Sequence, residues 1–321
     1  MNITVIGCGR WGSLITWYLD HIGHRVTLYG RAASPRMQAF LTTRQNDLLT
    51  LPESVALSTA LDAALESAEA VIISIGSQSL RSLLEQPELQ ALRSRTVVLC
   101  MKGLEMGTGA RLSQIAAELL HPSNTVAVWL GPGHVQEFYR GIPNCMVIDS
   151  ENEDAKRRLV QAFSSDLIRF YYGGDMIGNE VGAAAKNVVG IAAGFLDGFE
   201  MSSLKGALMS RGTREVARLI KAMGGSELSA YGLCHLGDYE ATVFSPYSHN
   251  RQFGESFVRG QDYHQLAEGY YTVKALMLLG QRYGVELPIC KAVHDILYEQ
   301  AVPRDMLAGL LRRGLTEEFY D

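Results

Sequence analysis

The stretch that decides the fold of the first half of the chain is ITVIGCGRWG, residues 3–12. A short apolar run predicts a strand, and Gly7, Gly9 and Gly12 then form a GxGxxG pattern that opens the helical stretch SLITWYLDHIG. A second β-branched run, RVTLYG, follows at residues 25–30. This context favours dinucleotide binding, because the glycines let the turn and the helix N-terminus approach a pyrophosphate. The alternative is a glycine-rich strand–helix turn in an unrelated α/β protein.

Three more apolar runs of strand length follow in the first half: AVIISIG, TVVLCMKG and TVAVWLGPG. Continuous apolar runs indicate strands covered on both faces, as in a parallel sheet of βαβ units. Beyond about residue 175 the patterns are helical, and Gly173–Gly174 mark a break. We predict an α/β protein with an N-terminal Rossmann-type doubly wound parallel sheet in residues 1–174. An all-α C-terminal domain in residues 175–321 would carry the substrate and the catalytic groups.

The composition narrows the class of ligand. The chain has 321 residues, a formal net charge of −5 and no basic run, which argues against a nucleic-acid partner. Its five cysteines form no CxxC pair and its histidines no HExxH motif, so we expect a reduced, metal-free, cytoplasmic protein. No apolar run approaches the roughly 20 residues that cross a bilayer, and the first residues enter a strand directly. We therefore expect no membrane insertion and no export signal.

The segment after the second strand indicates which dinucleotide binds. It reads LYGRAASPR, residues 28–36, with no acidic residue to accept a ribose 2′-hydroxyl but with Arg31 and Arg36. Arginine here accommodates a 2′-phosphate, so the sequence favours NADP and leaves NAD open. The other interpretation of Arg31 is a solvated surface arginine.

An ammonium group and an amide lie in the middle of a small-residue helix, EVGAAAKNVVGIAAGFLDG at residues 180–198. Burying an unpaired charge is costly, so Lys186 and Asn187 need an explanation. A structural lysine that reaches solvent from a packed helix is one. The other is a functional lysine that points into a cleft between the two domains.

Several motifs together resemble the NAD(P)-dependent glycerol-3-phosphate dehydrogenases. CMKGLE (residues 100–105) resembles that family's strand-end lysine segment, and GPGHVQEFYRGIP (131–143) its GP…E…G.P loop. The lysine-bearing helix resembles E.G...KN..AI..G..DG, and GDYEATVFSPYSHNRQFG (237–254) is similar to GDL..T..S..SRNR.FG. AEGYYTVKAL and YGVELPI complete the order, so the resemblance covers nearly the whole chain.

The resemblance implies reversible hydride transfer between NAD(P)H and C2 of dihydroxyacetone phosphate, which gives sn-glycerol 3-phosphate. Lys186 would be the general acid in reduction and the base in oxidation. Lys102 would lie near the substrate oxygen and withdraw charge from it. Burial and the second cation would lower the proton affinity of Lys186, whereas Asp238 would raise it and orient the lysine.

The resemblance also implies the remaining contacts. The substrate would be held by Lys102, Lys186 and Asp238 together with Gly131, Gly133, Asn187, Thr242, Ser248, His249, Asn250 and Arg251. The cofactor would be held by Gly7, Gly9, Gly12, Arg31 and Lys102 together with Arg10, Trp11, Val135, His249 and Glu268. Helix capping and turn formation are the alternative roles of the serine, threonine and asparagine side chains.

Three departures from the family pattern concern the substrate. His249 stands where the family has an arginine, and imidazole is only partly charged near neutral pH. Gly133 replaces a serine or threonine, and EMSSLKGAL (residues 200–208) lacks an asparagine before the lysine. A related two-domain reductase of another small hydroxy acid or ketone therefore remains an alternative, as does a catalytically weak nucleotide-binding sensor. The assembly state, including a homodimer, stays open.

Overall fold

The computed structural model describes residues 1–312 and 317–318, which form two compact units. The first unit comprises Met1–Met101 and Leu112–Met176. The second comprises Lys102–Arg111 and the described residues from Ile177 onward. The domain limits at residues 174 and 175 stay a prediction, and by its contacts the segment that carries Lys102 belongs to the second unit.

The first unit is built on an eight-stranded sheet. Its strands are β1 (Asn2–Ile6), β2 (Arg25–Tyr29), β3 (Ala56–Ser58), β4 (Ala70–Ile73), β5 (Thr96–Leu99), β6 (Thr125–Leu130), β7 (Asn144–Asp149) and β8 (Ile168–Tyr172). They are ordered β3-β2-β1-β4-β5-β6-β7-β8. The strands from β3 to β6 are parallel, β7 is antiparallel to β6, and β8 is parallel to β7. The five predicted strands are confirmed, and the structure adds β3 at one edge and the parallel strands β7 and β8 at the other, with β7 antiparallel to β6.

Helices accompany this sheet: α1 (Arg10–His21), α2 (Pro35–Thr43), α3 (Leu61–Leu65), α4 (Leu80–Leu84), α5 (Pro87–Gln90), α6 (Leu112–Leu119), α7 (Val135–Tyr139) and α8 (Glu153–Phe163). Every residue of β4 and β5 is buried, which is why these strands read as continuous apolar runs. The core extends to Trp129, Tyr18 and Phe163. The predicted Rossmann-type class is confirmed.

The regular elements of the second unit are helices in its described residues, and its segment Lys102–Arg111 is irregular, with an isolated β-bridge between Leu104 and Arg111. Its helices are α9 (Met176–Gly198), α10 (Lys205–Ala222), α11 (His249–Val258), α12 (Glu268–Tyr283), α13 (Pro288–Tyr298) and α14 (Pro303–Leu311). Short 3₁₀ turns lie at Ser202–Leu204, Glu227–Tyr231 and Leu236–Asp238, and a π-helical turn spans Glu240–Phe244. Among the described residues, no helix has the length and apolar character needed to cross a membrane.

The small residues of α9 allow a close approach of neighbouring backbone. A β-carbon at Gly194 would lie 2.1 Å from the carbonyl oxygen of Arg251, and one at Gly190 would lie 2.8 Å from the Thr242 methyl group. Either substitution therefore forces the neighbouring segment away. The glycines thus place α11 and the π-helical turn directly against the helix that carries Lys186.

Candidate active site

A buried ammonium–carboxylate pair forms the centre of the site in the second unit. Lys186 Nζ lies 3.0 Å from Asp238 Oδ2 and donates a hydrogen bond of 2.6 Å to Thr242 Oγ1. The side chains of Lys186 and Asp238 are only 8 % and 1 % exposed. Thr242 lies on the π-helical turn, a distortion that is frequent at functional sites.

A second lysine contacts the same carboxylate oxygen. Lys102 Nζ lies 2.7 Å from Asp238 Oδ2, and its side chain is partly exposed. Burial lowers the pKa of Lys186 to about 8; Asp238 opposes this shift and the positive charge of Lys102 adds to it. These are the directions that the sequence predicted. A lysine with this pKa can donate a proton near neutral pH and take it back slightly above.

A chain of amide hydrogen bonds connects Lys102 with α11 and α12. Asn187 Nδ2 donates to the Lys102 carbonyl oxygen at 2.7 Å, and Asn250 Nδ2 donates to Asn187 Oδ1 at 3.0 Å. The backbone N–H of Gly269 donates to Asn250 Oδ1 at 2.9 Å. Glu268, the preceding residue, is the first of α12. The amides of Asn187 and Asn250 thereby connect four segments around the lysines, namely the Lys102 segment, α9, α11 and α12.

The segment that carries Lys102 is anchored by a buried ion pair. Arg111 Nη1 lies 2.6 Å from Glu180 Oε2, six residues before Lys186 on α9, and the two side chains are 11 % and 5 % exposed. Gly109 has a φ of +71°, and a β-carbon there would lie 3.1 Å from Leu279. Breaking a buried ion pair is costly, so this contact anchors the end of the 102–111 segment to α9.

The N-terminus of α11 collects the residues predicted to hold phosphate. Ser248 is its N-cap, and its Oγ accepts a hydrogen bond from the Arg251 N–H, so its capping role is present. Arg251 Nη1 lies 2.9 Å from Asp197 Oδ2 and 2.8 Å from Glu255 Oε2. His249 Nδ1 lies 2.7 Å from the hydroxyl of Tyr263. Nη1 of Arg251 is therefore shared by two carboxylates, and Arg251 lies on the same turn of α11 as His249 and Asn250.

In the first unit, the glycine motif has the geometry that a dinucleotide needs. Gly7 has a φ of +117°, and a β-carbon there would lie 2.2 Å from the Ser74 carbonyl oxygen. At Gly12 a β-carbon would lie 2.0 Å from the Gly7 carbonyl oxygen. Gly9 is the N-cap of α1, and among described atoms beyond its chain neighbours only Arg36 Nη1, at 3.7 Å, lies within 4 Å of its β-carbon position. The turn at Gly9 therefore leaves room for a phosphate, which the N-terminus of α1 and the guanidinium of Arg36 can both bind.

The other predicted cofactor contacts of the first unit follow the carboxyl ends of parallel strands. Arg10 and Trp11 begin α1 after β1, and Arg31 is exposed just after β2. The predicted cofactor contact Val135 follows β6, as do Gly131 and Gly133, which were predicted to contact the substrate. This edge of a doubly wound sheet is the one where ligands bind.

Comparison with known proteins agrees with this geometry. Residues 2–156 match the family described as NAD-dependent glycerol-3-phosphate dehydrogenase N-terminus, and residues 175–308 match the corresponding C-terminus. The chain is 32 % identical to a glycerol-3-phosphate dehydrogenase [NAD(P)+] of Thermoanaerobacter sp. (strain X514), over 100 % of this chain and 99 % of that protein. The chain belongs to the NAD(P)-dependent glycerol-3-phosphate dehydrogenase family.

Two further glycerol-3-phosphate dehydrogenases are similar along their whole length. The enzyme named glycerol-3-phosphate dehydrogenase [NAD(P)+] in Nitrosomonas europaea is 35 % identical over 98 % of both chains. The crystal structure of glycerol-3-phosphate dehydrogenase from Coxiella burnetii matches with a TM-score of 0.89 and 27 % identity, over 97 % of this chain and 99 % of that chain. The family resemblance inferred from the motifs is thus confirmed over both units.

One departure from the glycerol-3-phosphate dehydrogenase pattern has a local structural reason. Gly133 has a φ of +141°, and a β-carbon there would lie 2.1 Å from the ring of Phe138. A serine or threonine at this position would need another backbone conformation and a displaced phenylalanine. His249, the other departure at the proposed phosphate site, begins α11, and the structure gives no steric reason for it.

The structure adds three features to this glycerol-3-phosphate dehydrogenase site that sequence reasoning missed. They are the Arg111–Glu180 pair, the position of Arg36 beside Gly9, and a buried hydrogen bond between His235 and Tyr239. Glu180, an acidic residue within the apolar helix α9, was the sequence signal for the Arg111–Glu180 pair. The others depend on contacts between segments that no local pattern reveals.

Proposed function

We propose that the protein reversibly reduces dihydroxyacetone phosphate to sn-glycerol 3-phosphate with NAD(P)H. The observation that carries this proposal is the buried Lys186, which is held between Asp238 and Thr242. Burial lowers the pKa of this lysine to about 8. Reduction of a ketone needs a proton for the developing alkoxide, and a buried lysine with this pKa supplies it near neutral pH.

Each group around the alkoxide has a separate task. The Lys186 ammonium donates the proton to the C2 oxygen in reduction, and the neutral amine removes it in oxidation. Lys102 stabilises the negative charge that develops on the same oxygen. Asp238 holds both ammonium groups through one oxygen, and Thr242 orients the Nζ protons of Lys186. Asn187 contributes an amide donor without adding charge.

The nucleotide is held by the first unit in this proposal. The turn at Gly7, Gly9 and Gly12 and the N-terminus of α1 receive the pyrophosphate, with Arg36 beside it. Arg31 pairs with a ribose 2′-phosphate, which makes NADPH the preferred cofactor and NADH the weaker one. When bound, the reduced nicotinamide supplies the hydride for C2.

The substrate phosphate is bound at the N-terminus of α11. The helix dipole and its first N–H groups favour an anion, and Asn250 and His249 add donors. Arg251, though paired with Asp197 and Glu255, contributes positive charge to the same turn. A small phosphorylated substrate fits this arrangement.

The test replaces Lys186 with alanine. Turnover of dihydroxyacetone phosphate with NADPH should fall by about 10²–10⁴ while NADPH binding, measured by fluorescence, stays within a few-fold of the parent. A variant that retains parental turnover would refute the role of Lys186. Pantoate-type and other hydroxy-acid substrates, assayed with the parent, separate this function from that of a related reductase.

A further inference from the structure

A hydrogen-bonded histidine–tyrosine pair lies directly beside Asp238 in the second unit. His235 and Tyr239 are both 0 % exposed, and they precede and follow Asp238 in the chain. The backbone N–H of Asp238 donates to the His235 carbonyl oxygen at 3.0 Å. The two side chains are therefore part of the turn that presents the carboxylate.

The protonation of the pair follows from its contacts. His235 Nδ1 lies 2.8 Å from the Gly182 carbonyl oxygen, which can only accept, so Nδ1 carries the proton. Nε2 then accepts a hydrogen bond from the Tyr239 hydroxyl at 2.8 Å. Burial lowers the pKa of His235 to about 4 and raises the pKa of Tyr239. The imidazole stays neutral and the phenol protonated throughout the range in which an oxidoreductase is assayed.

The pair connects the helix of Lys186 with both partners of that lysine. Gly182 lies one helical turn before Lys186, and a β-carbon at Gly182 would lie 3.0 Å from the β-carbon of His235. At the other end, the Tyr239 carbonyl oxygen accepts the backbone N–H of Thr242 at 3.0 Å. Movement of the pair would therefore change the distances from Lys186 to Asp238 and to Thr242 together.

We propose that His235 and Tyr239 are positioning residues that hold Asp238 and Thr242 against Lys186 and so set the proton affinity of this lysine. The inference rests on the proposed role of Lys186 as the general acid. The groups that face Lys186 are Asp238 and Thr242, Lys102 from the segment after β5, and Cys234 next to His235. Because the imidazole is neutral, it acts through geometry rather than through charge.

The direction of the effect follows from the contact with Asp238. The carboxylate raises the proton affinity of Lys186, so a looser contact lowers it. Lengthening the Nζ–Oδ2 distance by about 1 Å at an effective dielectric constant near 20 corresponds to about one pH unit. In reduction, which needs the ammonium form, the alkaline limb of the pH profile would then move to lower pH.

Two small substitutions test the pair. Tyr239→Phe removes one hydroxyl, and His235→Asn keeps an amide donor near the position of Nδ1 but loses the acceptor. The kcat of dihydroxyacetone phosphate reduction is measured against pH for each variant and for the double variant. In parallel, ¹⁵N NMR of lysine-labelled protein follows the titration of Lys186 Nζ, assigned by its loss in Lys186→Ala. Tyr18→Phe, which removes a buried phenol in the first unit, is the matched control.

Each single variant should move the alkaline limb and the NMR midpoint about 0.5 to 1 unit to lower pH, with the KM for cofactor unchanged. The double variant should shift no further than the singles, because the two residues act as one unit. Tyr18→Phe should lower the melting temperature without shifting either midpoint.

Parental midpoints in Tyr239→Phe, or an equal shift in Tyr18→Phe, would overturn the proposal. Should His235→Asn fail to fold, Tyr239→Phe alone decides, since it removes a single oxygen. The NMR midpoint does not depend on turnover. Parental turnover in Lys186→Ala would therefore overturn the proposed function, whereas unchanged NMR midpoints would overturn the positioning role.

Discussion

Replacing Asp238 with asparagine removes a carboxylate that contacts two lysines at once. Its Oδ2 lies 3.0 Å from Lys186 Nζ and 2.7 Å from Lys102 Nζ. The asparagine has nearly the same shape, so the main change is electrostatic. At 3.0 Å and an effective dielectric constant near 20, the lost attraction is at most about 5.5 kcal/mol, or about 4 pH units. Since water can enter and the amide oxygen still accepts a hydrogen bond, we expect the pKa of Lys186 to fall by about 2 to 4 units.

The sign of the effect differs between the two directions of catalysis. Reduction needs the ammonium form, so kcat at pH 7 should fall by about 10- to 1000-fold and recover as the pH is lowered. Oxidation of glycerol 3-phosphate needs the neutral amine, so in the parent the rate of oxidation should fall below about pH 8. In the variant this acid limb of the pH–rate profile should move to lower pH by the same amount. Oxidation at pH 7 should therefore lose less activity than reduction.

The assay is the initial rate in both directions from pH 5 to 9.5 in buffers of constant ionic strength. Glu215→Gln is the control, because Glu215 is also buried but accepts hydrogen bonds from the N–H groups of Ile289 and Cys290. It should alter stability without moving either limb. If both limbs of Asp238→Asn stay at their parental pH, or if both directions lose activity equally at every pH, Asp238 does not set the proton affinity of Lys186.

Two further predictions concern ligand charge. Arg31→Ala should weaken NADPH binding by about tenfold or more and leave NADH binding nearly unchanged, since the guanidinium is proposed to pair with the 2′-phosphate; equal losses in fluorescence titrations would contradict this. His249→Arg should lower the KM for dihydroxyacetone phosphate and flatten its rise between pH 6 and 8, because arginine stays charged where imidazole loses its proton. Both profiles include the substrate's own phosphate ionisation near pH 6, so parallel profiles for parent and variant would show that His249 does not meet the phosphate.

Local patterns predicted five of the eight strands of the first unit and the nucleotide motif. A strand followed by Gly7, Gly9 and Gly12 is a contiguous unit, and its geometry depends on residues that are neighbours in sequence. The buried strands β4 and β5 were equally recognisable, because coverage on both faces demands unbroken apolar runs. The pattern for β7 and β8 was weaker, and their direction relative to β6 depends on the path of the chain around α7.

The sequence by itself therefore determined the fold class, the family and the residue types that can bind NAD(P) and transfer a proton. Tertiary structure decided how those residues are charged and held. Lys102 and Asp238 are 136 residues apart in the chain, and Lys186 and Thr242 are 56 apart. Burial and proximity to other charges set the proton affinity of Lys186, and both arise only when distant segments pack together. The His235–Tyr239 pair could not be recognised from the sequence either, because its contact with Gly182 forms only when the second unit folds.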